Sequence, residues 1–250
     1  MTAVREPQRV LEICAETLQG CEAACAGGAD RVELCSALIE GGLTPSHGFI
    51  EQAVATTCVP VHVLLRPRGG DFVYSDAEFA MICSDLRHSA ALGAAGVVAG
   101  ILLPDGSIDL DRIRHLVDLA GPLEVTFHRA FDQARHLPQA LEDVIATGCH
   151  RLLTSGGQPS ALHGAPTLGA LASQARSRIR IAAGGGVNLQ TAPHILEQAE
   201  AVDLHASLRS AIQRAESHTQ LDPLWNRCGM IDVEDVRAMA RLLHPMQTSH

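Results

Sequence analysis

Short runs rich in Val, Ile and Leu alternate along the chain with segments of helical periodicity. The runs, read as strands, fall near residues 10–14, 30–35, 60–66, 96–100, 122–128, 151–155, 179–183 and 202–205. The helical segments fall at 17–26, 46–57, 76–92, 109–120, 137–147, 160–175, 188–198 and 233–243. Ser46, Asp76, Asp109 and Asn188 stand where N-caps belong, and Pro138 occupies a first-turn position. Gly27, Gly93 and Gly148 follow helices, where a left-handed residue is wanted. Strand and helix in regular succession predict a closed parallel (β/α)8 barrel.

An open doubly wound sheet is the alternative, but no GxGxxG turn follows the first strand. No linker breaks the rhythm, so residues 1–250 are expected to form one domain. The irregular part is a long connection at 206–232, which holds the only tryptophan, Trp225. It follows a strand, which places it on the active face of a barrel, where it could serve as a lid.

Within this frame one word recurs. Leu11-Glu12-Ile13-Cys14 and Val32-Glu33-Leu34-Cys35 stand about one βα unit apart. Successive strand side chains point to opposite faces, so Glu12 shares a face with Cys14, and Glu33 with Cys35. Two carboxylates and two thiols then meet across neighbouring strands. A buried carboxylate without a partner is costly, so each glutamate either pairs with an arginine or serves a site. Arg31, on the same face as Glu33, is the expected partner of Glu12 or Glu33.

Other strand ends add to a polar ring. Arg66-Pro67-Arg68-Gly69-Gly70-Asp71 reads as an anion clamp of two guanidiniums on a Gly-rich turn, or as two solvated arginines. His128 and His205 each end a strand and suit acid-base work or metal ligation. Arg129 follows His128. Ser155 ends strand six and could be a nucleophile, a phosphate binder or a turn residue. Gly184, Gly185 and Gly186 follow strand seven, where barrels commonly bind phosphate, although a tight turn alone would justify them.

Composition narrows the setting. Apolar residues make up 46% and charged residues 19%, which suits an ordinary globule. A net charge of -9 without a basic stripe argues against nucleic acid or an anionic membrane as partner. No apolar run is long enough to span a bilayer, and Met1 to Gln8 does not read as a signal peptide, so a cytoplasmic protein is expected. All 19 basic residues are arginine, which removes Schiff-base and other lysine chemistry from this chain. Eight cysteines without a CxxC pair fit reduced thiols better than disulfides or a closed zinc site.

Longer motifs carry a resemblance. Glu40-Gly41-Gly42-Leu43-Thr44-Pro45-Ser46, the Arg66 to Asp76 segment, Val125-Thr126-Phe127-His128-Arg129-Ala130-Phe131-Asp132 and Leu153-Thr154-Ser155-Gly156, with the two Glu-Cys words, closely resemble the copper homeostasis protein CutC family. The resemblance spans about residues 10–205 and implies a cytoplasmic (β/α)8 barrel, usually homo-oligomeric and associated with copper. The last strand departs from it, reading His205-Ala206-Ser207. Two readings follow. In the first, Cys14 and Cys35 bind copper as Cu(I), which soft thiolates suit. In the second, the barrel is an enzyme on a small anionic metabolite, phosphorylated or carboxylated. There Arg66 and Arg68 hold the anion, Glu12 or Glu33 exchanges protons with His128, and His205 assists.

Overall fold

The computed structural model describes residues 9–199, 202–209 and 229–244. Its eight parallel strands close into a barrel in chain order. They are β1 (Leu11–Ala15), β2 (Arg31–Leu34), β3 (Val61–Leu64), β4 (Gly96–Ala99), β5 (Glu124–Phe127), β6 (Arg151–Thr154), β7 (Arg180–Ala183) and β8 (Asp203–Ala206). After each comes a helix: α1 (Leu18–Gly27), α2 (His47–Thr56), α3 (Asp76–Ala91), α4 (Leu110–Ala120), α5 (Leu137–Ala146), α6 (Ala165–Ala175), α7 (Ala192–Gln198) and α8 (Val233–Leu243). The (β/α)8 barrel expected from the periodicity is therefore the fold. Among the described residues no helix is long and apolar enough to cross a membrane, and the seven described cysteines are free thiols.

Local chemistry moves several helix starts. Ser75, not Asp76, caps α3: its hydroxyl accepts from the Glu78 N–H, and the Glu78 carboxylate accepts from the Ser75 N–H at 2.7 Å. The α1 helix runs through Gly27, and Gly28, at φ 84°, provides the left-handed cap. The Asn188 carboxamide oxygen accepts from the N–H groups of Gln190 and Thr191, holding a turn ahead of α7 and delaying its start to Ala192. Of the connection at 206–232, residues 210–228 with Trp225 lie outside the described residues, and so does its reading as a lid.

Alternation along the strands separates two environments. Leu11, Ile13, Val32, Leu34, Val63, Val97, Phe127, Leu152, Ile181 and Leu204 face outward and join the helices in the main apolar core. The inward residues are largely polar: Glu12, Glu33, His62, Thr126, Arg151 and Asp203 are all buried. Register brings Glu12 beside Arg31 and His205, and Cys14 beside Glu33. Two β4-side glycines admit imidazoles: a Cβ at Gly96 or Gly100 would stand 2.4 Å from the ring of His62 or His128.

Candidate functional site

The floor of the barrel is a set of matched charges. Arg151 donates to Glu12 at 2.7 Å and lies 3.1 Å from Asp203, which also holds Arg180 at 2.6 Å. Glu12 and Arg151 are at most 1% exposed, so neither charge could be kept without the other. Burial works against the Glu12 carboxylate, yet Arg151 and then His205 outweigh it and hold its pKa well below the carboxylate range. Arg31 does not partner Glu12 or Glu33 as its position on β2 suggests. Its guanidinium donates to Glu124 at 2.6 Å and lies 3.3 Å from the His62 ring, because Glu124 closes the same end of the barrel from β5.

Above the floor the thiols meet. The sulfurs of Cys14 and Cys35 are 3.4 Å apart, and Cys14 Sγ is 3.5 Å from Glu33 Oε1. Glu33 Oε2 is buried without a hydrogen-bond partner among the described residues. The contact with Cys35, then burial, pushes the Cys14 thiol well above its ordinary value. Burial likewise raises the Glu33 carboxyl. His205 Nδ1 lies 2.7 Å from Glu12 Oε1. Burial would lower this imidazole, but the facing Glu33 and its bond to Glu12 prevail and raise it. Glu12 therefore orients the ring with Nδ1 as donor, as a carboxylate behind a metal-binding histidine does. Among the described residues, Cys14, Glu33 and His205 form the one group of three whose ligand atoms all lie within 4.8 Å of one another.

The wall across the mouth is built on β3 and β5. His128 is 5% exposed, and its Nδ1 accepts from the Ala130 N–H at 3.1 Å, so the neutral ring carries its proton on Nε2. Burial, then the Arg66 charge, lowers its pKa to about 3. That Nε2 has no partner. Phe72 lies between His128, at 5.0 Å, and the Arg66 guanidinium, at 5.1 Å. Arg66 spends Nη1 and Nη2 on the carbonyls of Glu40, Gly42 and Gly70, joining two loops, while its buried Nε is unpartnered. Arg68 turns elsewhere, to Glu78 at 2.5 Å, Asp71 at 3.0 Å and the Val73 carbonyl at 2.8 Å. It fastens its own loop and does not line the cavity.

Asp132 organises the strand ends beyond. It accepts from Arg129 Nε, from Thr154 Oγ1, and from both the backbone N–H and the hydroxyl of Ser155. The one hydroxyl proton of Ser155 lies between Asp132 and the Gln158 carbonyl, its two alternative acceptors, and its oxygen accepts from Arg129 Nη2, so the hydroxyl is committed to structure. Gly184 leaves room for Leu153, which a Cβ there would approach to 2.5 Å.

These groups enclose a cavity of about 280 Å³ at the C-terminal end of the barrel. Of the residues singled out from the sequence, it gathers Cys14, Glu33, Arg66, His128, Arg129, Gly185, Gly186 and His205 in its walls. Glu12, Cys35, Ser155 and Gly184 stand behind that surface. Sequence reasoning passed over Arg151, Asp203 and Asp132. The first had a legible signal, since Arg151 alternates with Leu153 and Ser155 on the inward face of β6.

Comparison with known proteins shows the family of the chain. The chain is 47% identical over 207 residues to a CutC family protein of Chromobacterium violaceum, covering 83% of this chain and 84% of that one. It is 44% identical over 202 residues to the copper homeostasis protein cutC homolog of Mus musculus, covering 81% and 74%. A CutC crystal structure from Streptococcus agalactiae superposes with a TM-score of 0.75 at 31% identity, over 80% of this chain and 98% of that one. With the CutC family profile matching residues 9–210 as well, the chain belongs to the CutC family.

Proposed function

We propose that the protein takes part in copper homeostasis by binding Cu(I) through Cys14 and Cys35 at the mouth of the barrel, in the cytoplasm, where thiols stay reduced. The observation that carries this is the 3.4 Å approach of the two sulfurs, flanked by Glu33 and His205. Thiolate and imidazole are ligands that suit copper, and thiolates favour Cu(I). Cys14 supplies one sulfur to the cavity and Cys35 a second from just behind it. By accepting from Nδ1, Glu12 holds the His205 ring ready as an additional ligand. Cu(I) here is cargo, and its arrival has a proton consequence. The raised Cys14 thiol must give up its proton, so binding strengthens as pH rises and releases protons.

The test is a titration of the full, reduced chain with Cu(I) in the presence of a competing Cu(I) chelator. Stoichiometric binding is expected, with the Cys14→Ser, Cys35→Ser double variant reduced to background. Equal competition by that variant and the unsubstituted protein would remove the proposal.

A further inference from the structure

The copper reading occupies the β1, β2 and β8 side of the mouth and leaves the side after β5 and β7 without a task. There the turn after β7 presents backbone donors that the fold itself does not use. Among the described residues, no hydrogen bond uses the backbone N–H of Gly185, Gly186 or Val187. Gly185 is half-buried and Gly186 exposed, so water can serve their N–H groups, whereas Val187 is only 5% exposed, and buried N–H groups without partners are rare in proteins. All three residues line the cavity. Gly185 and Gly186 adopt φ of 102° and 71°, a left-handed path that lets successive N–H groups face a ligand.

A guanidinium stands against the same turn. A Cβ on Gly185 would lie 3.1 Å from Cζ and Nη1 of Arg129, so glycine is needed for this approach as well as for its φ. Arg129 spends Nε on Asp132 and Nη2 on Ser155, which fixes the plane of the group and leaves Nη1 with no acceptor among the described residues. The rest of the wall contributes two buried donors without partners among the described residues, His128 Nε2 and Arg66 Nε.

From this arrangement we infer a second ligand seat, independent of copper, that binds the phosphate of a small phosphate monoester on Gly185, Gly186, Val187 and Arg129, with the ester's hydroxyl or carbonyl oxygens toward His128 and Arg66. Phosphate is favoured over carboxylate by the donor geometry. A carboxylate is best held by a two-pronged guanidinium, and two of the three Arg129 nitrogens are already engaged. A row of N–H groups with one remaining guanidinium nitrogen instead suits three acceptor oxygens. The neutral His128 ring, protonated on Nε2, donates to an uncharged oxygen without adding charge. The cavity of about 280 Å³ has room for a phosphate and a few carbons beyond it.

Inorganic phosphate and glycerol 2-phosphate, titrated into the full chain labelled with nitrogen-15, test the seat. Both should shift the amide resonances of Gly185, Gly186 and Val187, and the ester should bind more tightly than phosphate. Arg129→Gln should weaken both by about tenfold or more, and His128→Gln should narrow the preference for the ester while sparing phosphate. Should Arg129→Gln disturb the fold by releasing Asp132, the amide shifts of the unsubstituted protein still decide. Absence of saturable binding, or shifts located away from the β7 turn, would overturn the inference. The Cys14→Ser, Cys35→Ser variant should bind phosphate unchanged, and a loss there would refute a seat independent of copper.

Discussion

The floor and the mouth of this barrel are built from the same residue types and treat them in opposite ways. On the floor every buried charge faces an opposite one: Arg151 lies between Glu12 and Asp203, Arg180 meets Asp203, and Arg31 meets Glu124. Buried atoms without a hydrogen bond occur at both levels among the described residues, but on the floor they belong to the ion-paired Arg151 and to the uncharged His62 and Thr126, whereas at the mouth Glu33 and Arg66 have no ion pair, His128 Nε2 is unpartnered, and two thiols touch. Buried polar groups are costly when unpartnered, so the floor contributes to the fold and the mouth costs stability in return for a site.

The comparison breaks most visibly at Arg151. Arg151→Met should destabilise the protein by about 3–5 kcal/mol in urea unfolding, because Glu12 and Asp203 are left as uncompensated buried charges. A change under about 1 kcal/mol would mean that the floor is not held by charge pairing.

Acid should act next, on the floor through His62 and Glu12 and at the mouth through His128. His62 and His128 are lowered by burial to about 4 and about 3 in the folded protein, and Glu12 is held below its ordinary range. Through these three groups the unfolded chain binds more protons than the fold, while the raised His205 and Glu33 act in the opposite sense. The stability the three groups confer is present above the ordinary histidine pKa, about 6.5, and is lost as pH falls toward 4 and below. Urea midpoints measured from pH 7.5 down to 4.5 should fall steadily, and a flat profile would contradict the buried neutral imidazoles.

At Glu33 the sign reverses. Its carboxyl is raised by burial, so at neutral pH its ionisation favours the unfolded chain. Glu33→Gln should stabilise the protein by about 0.5–2 kcal/mol at pH 8, with the gain shrinking as pH falls through 4.5. Glu12→Gln should destabilise over the same range. Parallel thermal unfolding of the two variants would sharpen the contrast, and a loss of stability in both would erase it.

The smallest effect belongs to Arg68. Its ion pairs with Glu78 and Asp71 are partly exposed, and it lies outside the cavity. Arg68→Ala should cost about 1 kcal/mol or less and leave Cu(I) binding within about twofold. A large loss of binding would return it to the site as an anion clamp.

Periodicity and punctuation along the chain determined the eight βα units. Strand alternation also put Glu12, Cys14, Glu33 and Cys35 on the inward face, since a period of two leaves a side chain no other choice once its strand is placed. The pairing of charges was decided only by closure. Arg151 reaches Glu12 across 139 positions of chain, and Arg31 turns to Glu124 rather than to its strand neighbours, because the partner available inside a barrel depends on which strands face one another. Likewise the sequence marks Gly184 to Gly186 as a turn and Arg129 as a strand-end cation, but only the folded chain brings that guanidinium to Gly185 and leaves the N–H groups beside it unused. Local sequence settles which way a side chain faces, and tertiary structure settles which of the inward groups find a partner.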